Sequence, residues 1–418
     1  MLPSHRSVPN ARSALASTTG IAVRILCIAA IALAFCLLAG PVPLHASTGS
    51  LPTGTVTNQV SQTCPGGQWL PGMSCFSALL TCPSALNVDP LTFTYGQLIP
   101  SGTVKGIVVY LDGGDGNTAV GEEPEYEILQ YYAAQNYGVV EIAWSSAWEQ
   151  TSIPNIQNAA CRPATFLSYV YNNVYLPIAS GNGVAGMCAQ GFSAGSAAVA
   201  YSLAYYGAWS YLDNVELISG PVLSDIKRGC EQNPPSVTVC GAGQYGCRMG
   251  GDSPWILPPT YVPNGVNYID HWTNSNTCTT GTNPQWLNES IVDQSTGQSG
   301  QGAVPTFSYP STAMSAWLCS NVDGQPPSCS GSNYNYNVCP NNSSSQGEIF
   351  YSQFTAANAP PVFNIYAVNN CVGPEGVPQG AVPYLSGGEL VMSGVSAIEQ
   401  DMAGGVNTPA QCFHGFHN

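Results

Sequence analysis

Val184-Ala185-Gly186-Met187-Cys188-Ala189-Gln190-Gly191-Phe192-Ser193-Ala194-Gly195-Ser196-Ala197-Ala198 decides the fold. Its first half is a short apolar run, which reads as a buried strand. Its second half is packed with small residues and reads as a helix. Between them Gly191-Phe192-Ser193-Ala194-Gly195 makes a sharp turn with a serine at its apex. A serine held between a strand and a helix must take a strained backbone conformation so that its hydroxyl stands clear. The residues two before and two after it then crowd the turn, and only very small side chains fit.

Outward from this turn, strand and helix patterns alternate. Lys105 to Leu111 is apolar after its first residue, as in a parallel strand buried on both faces. Tyr137 to Trp144, Asn214 to Ser219 and Pro361 to Val368 read the same way. Helical spacing covers Glu122 to Asn136, Pro163 to Val174 and the stretch from the serine turn to about Tyr206, and a further helix fits Gly394 to Met402. The alternation predicts an α/β fold: a doubly wound, mostly parallel sheet with right-handed crossovers. Residues 101–228 form its first part and 346–418 its second. Residues 47–100, rich in Thr, Pro, Gly and Cys, form a disulfide-tied amino-terminal extension with a few short strands, Leu91 to Tyr95 among them.

Residues 229–345 break the pattern. Pro, Gly, Asn, Ser, Thr and Tyr dominate, with Cys230, Cys240, Cys247, Cys278, Cys319, Cys329 and Cys339 spread through them. So long a loop without order of its own is unusual, and the stretch reads as a disulfide-stapled cap over the carboxyl edge of the sheet. Helical spacing in it is weak outside Ser311 to Leu318. Asn333-Tyr334-Asn335-Tyr336-Asn337 reads as a polar surface loop, with a carbohydrate-stacking platform as the alternative.

Residues 1–46 read as a secretory signal: Arg6, Arg12 and Arg24 precede an apolar run, no acid is present, and cleavage falls near Ala46. An uncleaved amino-terminal anchor is the alternative. Fourteen of the sixteen cysteines follow this leader, an even number that implies disulfides in a secreted or periplasmic protein. Cys371 and Cys412 flank segments that an active site would bring together and are expected to pair. Cys188 is expected either in a disulfide or as a buried free thiol. The net charge is −15, and Lys105, Arg162, Lys227, Arg228 and Arg248 are the only basic residues past the leader. Without a basic stripe to neutralise phosphates, nucleic acid is excluded as a partner. No stable membrane insertion is expected once the leader is removed. Only 7% of residues are charged. A surface covered by neutral polar residues fits an exported protein acting on polymeric material, and equally one adapted to acidic or salty surroundings.

A serine hydroxyl needs a base to become a nucleophile. Past the leader the histidines are His271, His414 and His417. His414, followed by Gly415, is the preferred base, His417 the alternative, and His271 reads as structural. A carboxylate must hold the histidine tautomer. Glu375, past the strand ending at Val368, is preferred, with Asp225 after the preceding strand as the rival. Negative charge on the substrate oxygen needs backbone N–H donors: Ala194, at the start of the helix, and Gly113 or Gly114 in Asp112-Gly113-Gly114-Asp115-Gly116. Neither a calcium loop nor a zinc site has the required ligand spacing, so no metal is expected.

With these parts in this order, the chain resembles the α/β-hydrolase superfamily over about Thr103 to Leu223 and Pro361 to His414. Its G-x-S-x-G turn carries the likeness most specifically. Gly113-Gly114 is similar to the His-Gly-Gly oxyanion loop of esterases, although Asp112 stands where that loop has histidine. The resemblance implies attack by Ser193 on a carbonyl, an acyl-enzyme hydrolysed by water, and no cofactor. It implies a carboxylic-ester substrate, among secreted members often polymeric. A serine peptidase on the same fold and a non-catalytic extracellular binding protein are the competing readings.

Overall fold

The computed structural model describes residues 50–66, 69–119, 123–153, 155–179, 185–218, 220–226, 230, 278, 286–287, 289–292, 305–319, 346–351, 353–354, 358–368, 371–372, 377–378 and 412. Among the described residues nine strands form one sheet: β1 (Thr55–Gln62), β2 (Ser74–Thr81), β3 (Leu91–Leu98), β4 (Gly106–Leu111), β5 (Gly138–Trp144), β6 (Gly186–Phe192), β7 (Asn214–Ile218), β8 (Ala313–Cys319) and β9 (Phe363–Val368). Their order is β1-β2-β3-β5-β4-β6-β7-β8-β9. From β5 to β9 every neighbouring pair is parallel, while β1, β2, β3 and β5 pair antiparallel. This doubly wound sheet, with a serine turn at the carboxyl end of a central strand, is the α/β-hydrolase fold.

Burial explains the pairing. Every residue of β4, β6 and β7 is buried, as strands covered on both faces require. β1 is almost wholly exposed, as befits an edge strand, and its ladder shifts register between Thr57 and Val60, where Asn58 takes a φ of 55°. The amino-terminal region thus adds three strands to the main sheet. Cys64–Cys75 and Cys82–Cys161 tie it down, the second to the first residue of a core helix.

Three helices carry most of the layering: α1 (Glu123–Ala134), α2 (Cys161–Val170) and α3 (Ala194–Tyr206). On one face α1 packs Ile128, Leu129 and Tyr132 with Val108, Val139 and Cys188. On the other, α2 and α3 pack with Ile107, Val109, Met187, Ala189 and Val215. All of α3 is buried, so its run of small residues is a consequence of close approach on every side. Its tyrosines anchor the surrounding loops: Tyr201 donates to Leu223 O (2.9 Å), Tyr205 to Ser290 O (2.8 Å) and Tyr206 to Gln157 O (2.8 Å).

Three expectations are overturned. Ser311 to Leu318, expected to be helical, is strand from Ala313 on: β8 pairs with β7 on one side and β9 on the other. Its Ala, Met and Leu favour helix locally, and the slot between two strands overrides that preference. The stretch read as a cap therefore contains a core strand; its Cys230–Cys278 disulfide is present. Cys412 does not pair with Cys371. Cys371 starts a small ribbon, β10 (Cys371–Val372) with β11 (Val377–Pro378), and Cys412 is bonded to Cys188, which is accordingly no free thiol. The leader (1–46), the expected helix at 394–402 and the Tyr/Asn run at 333–337 lie outside the described residues.

Candidate active site

The turn after β6 has the strain its sequence implies. Ser193 takes φ 49° and ψ −111°, with φ in the left-handed region that L residues rarely occupy. The flanking glycines are enforced by space. A Cβ on Gly191 would lie 2.4 Å from Gly195 O, and one on Gly195 would lie 2.0 Å from Leu111 O. Ser193 N–H donates to Ile218 O (2.9 Å), and Ser196 Oγ donates to Ser193 O (2.5 Å). Gly220 makes room for that Ser196 hydroxyl, because a Cβ there would sit 1.9 Å from it. Strand, turn and buried helix together hold a half-buried serine at the carboxyl edge of the sheet.

The glycine loop after β4 lies against this serine. A Cβ on Gly113 would meet Phe192 Cδ1 at 2.8 Å and Ser193 Cβ at 3.1 Å. Asp112 organises the loop: its Oδ1 accepts from Gly113 N–H (2.8 Å) and Tyr110 Oη (3.4 Å), and its Oδ2 from Thr118 Oγ1 (2.9 Å). The Gly113 amide is therefore committed to Asp112. Gly114 (φ 56°) and Gly116 (φ 58°) close a turn in which Gly116 N–H donates to Gly113 O (2.9 Å). Ala194 opens α3, where the first N–H groups have no partner within the helix.

Asp225 is 1% exposed and lies close enough to Tyr201 that its charge, with that of Glu289, helps keep the Tyr201 hydroxyl protonated; burial is the larger cause. Glu375 falls in the connection between β10 and β11, outside the described residues, as do His271, His414 and His417. The structure thus brings together Ser193, Ala194 and Gly113 from the sequence reading, with Gly114 the next residue of the glycine loop. In the sequence Asp323 follows Cys319, the last residue of β8, by four positions; it too lies outside the described residues.

The sheet beneath the site carries unusual buried polarity. Glu141 and Gln190 flank Tyr110 in register, and Glu216 follows beyond Gln190. Burial, with the nearby charge of Asp112 as a smaller contribution, pushes the Glu141 carboxyl up to about 8. Past β5, burial likewise raises Glu149 well above the usual carboxylate range, helped by Asp115 and opposed by Arg162. Arg162, itself lowered to about 10 by burial, donates to Trp148 O (2.9 Å), Gln150 O (2.5 Å) and Asp89 O (2.8 Å) and so fixes the loop after β5. Among the described residues no cluster of His, Cys, Asp and Glu could hold a metal ion, and no helix is long and apolar enough to cross a membrane.

Neither a protein-family model nor a curated protein sequence matches the chain. Solved structures similar to it include an esterase from Pyrobaculum calidifontis (14% identity over 77% of this chain and 78% of that one, TM-score 0.37). Another is acetyl xylan esterase 1 from a Thermoanaerobacterium species (10% identity, 77% and 86%, TM-score 0.36). A match to PNB esterase (20% identity, TM-score 0.24) covers 31% of this chain and only 29% of that protein. These likenesses are distant.

Proposed function

We propose that the protein is an extracytoplasmic serine hydrolase that cleaves carboxylic esters. The observation that carries this reading is the backbone of Ser193, held at φ 49° between two glycines that tolerate no Cβ. Strain of this kind persists where it presents a reactive group. The leader sequence and the four disulfides among the described residues support the compartment.

In this reading Ser193 Oγ attacks the ester carbonyl while a histidine takes its proton. His414 fills that role, with His417 as the alternative. The N–H groups of Ala194 and Gly114 receive the oxyanion; Gly113, whose amide serves Asp112, supplies close approach instead. The histidine returns its proton to the leaving alcohol, and water then cleaves the acyl-enzyme by the same route in reverse. Glu375 orients the histidine, with Asp225 and Asp323 as rivals. No cofactor takes part.

A fluorophosphonate probe tests the nucleophile. The wild-type protein should label and Ser193→Ala should not, with aryl-ester turnover falling roughly 10³-fold or more. A wild type that neither labels nor turns over esters would leave a non-catalytic binding protein. A peptidase on the same residues is separated by peptide anilides: preferential cleavage of these over aryl esters would replace the esterase reading.

A further inference from the structure

A groove of about 260 Å³ runs over β2, β3 and β5 beside the glycine loop. Trp69 forms its aromatic surface, Trp144 lies beneath it in the core, and Thr94, Ser145, Asn117 and Thr118 contribute polar groups. Trp69 is half-buried, its indole laid over Gly96, where a Cβ would come within 2.8 Å of Cε3. Glycine in the middle of β3 is thus required by the tryptophan. Thr94 Oγ1 already accepts from Gln62 Nε2 (3.1 Å), and Ser145 Oγ accepts from Thr92 Oγ1 (2.9 Å). Each of these hydroxyls keeps its own hydrogen to donate. Among the described residues no charged side chain lines it.

The groove adjoins the serine. Thr118 lines it and bonds Asp112, which bonds Gly113, whose Cα packs against Ser193. Gly116, in the same loop, lies against Trp144. Two residues, Asp112 and Gly113, thus connect the groove-lining Thr118 to Ser193.

We infer that this groove is a subsite for a neutral saccharide chain. The described lining is uncharged and gives no anchor for an ionic ligand. The half-buried Trp69 indole beside hydroxyl donors matches a sugar ring, which presents C–H groups on its faces and oxygens at its edges. The volume lies just below that of ordinary small-molecule pockets, about 300 Å³ and upwards, so it takes a short piece of chain. Binding does not depend on the hydrolase reading; its role as a substrate subsite rests on that reading and makes the ester one carried on a polysaccharide.

The test is calorimetric titration of the full Ser193→Ala chain with xylohexaose, cellohexaose and mannohexaose, with tryptophan fluorescence as a second readout. At least one should bind with a dissociation constant of about 1 mM or tighter. Trp69→Ala should weaken it about tenfold or more. Asn117→Ala, at an exposed position, should weaken it about threefold without risk to folding. Binding by none of the three, or equal binding by wild type and both variants, would overturn the proposal. So would a groove that serves an aryl acyl group, seen as a raised KM for phenylacyl esters in Trp69→Ala without saccharide binding. Fluorophosphonate labelling of the wild type keeps the two readings apart: a protein that binds saccharide but does not label retains the groove and loses the hydrolase.

Discussion

Cys412 is bonded to Cys188, which stands five residues before Ser193 at the centre of the sheet. Cys412 also lies against Gly106, with its Sγ 3.6 Å from Gly186 O. Cys412 is thereby fixed to the strand that carries the serine. Along that strand about 16 Å separate Cys188 from Ser193. From Cys412, two residues to His414 span at most about 7 Å and five to His417 about 18 Å. His414 meets the serine only if the tail runs straight to the carboxyl edge; His417 has slack. Replacing both cysteines by alanine should cost about 2–4 kcal/mol of stability and lower ester turnover about tenfold or more, because the tail loses its anchor. The control is removal of Cys82–Cys161, which should lower the unfolding midpoint while leaving turnover below that midpoint intact. Unchanged turnover without Cys188–Cys412 would place the base elsewhere, with His271 first in line.

The glycines around the serine should differ in how they fail. A methyl on Gly195 meets backbone (Leu111 O at 2.0 Å), and backbone cannot yield without moving β4 from α3. Gly195→Ala should therefore lower stability by about 3 kcal/mol or more. Gly113→Ala instead presses on the Phe192 ring and Ser193 Cβ. It should cost less stability and proportionally more activity. Urea unfolding read beside probe labelling separates the two; a Gly195→Ala protein as stable as wild type would refute the packing argument.

What the sequence discloses here follows from how local each cause is. β4, β6 and β7 are legible because burial on both faces writes an unbroken apolar run, and the serine turn because steric crowding writes its glycines. β8 is not, since Ala-Met-Ser-Ala-Trp-Leu-Cys becomes a strand only through β7 and β9, which are distant in sequence. Cysteine pairing is equally non-local: an even count announces disulfides, but Cys188 and Cys412 are 224 residues apart. The engagement of the Gly113 amide by the Asp112 side chain also needed coordinates, because Asp-Gly-Gly alone fits a simple turn.

That engagement gives a further prediction. Asp112 accepts from Gly113 N–H and Thr118 Oγ1 in a buried setting. Asp112→Ala strands the buried Gly113 amide, at about 1–3 kcal/mol, and releases the loop that places Gly114. Turnover should fall about tenfold or more. Asp112→Asn keeps one acceptor and should lie between. The expected pattern is a loss in kcat larger than the rise in KM for a small aryl ester; a pure KM effect would mean the loop binds substrate without receiving the oxyanion.

Glu141 makes stability depend on pH. Buried in β5 beside Tyr110, its carboxyl holds its proton up to about 8 in the folded protein, against a usual value of 4.5. Below the usual value both folded and unfolded chains are protonated and the native state carries no penalty. Between 4.5 and about 8 the unfolded chain ionises while the folded one does not. The unfolded state then binds fewer protons, so stability falls as pH rises, by a few kcal/mol at most. Above about 8 both forms are ionised and the loss is complete. Glu149, raised for the same reason, adds a slope of the same sign. Thermal midpoints should therefore decline from pH 5 to pH 8. Glu141→Gln, neutral and of similar shape, should flatten part of that decline and melt higher than wild type at pH 8. Glu141→Gln together with Glu149→Gln should flatten it further. A single variant whose midpoint follows the wild-type curve would show that Glu141 ionises normally, and that the row it shares with Tyr110 and Gln190 admits water.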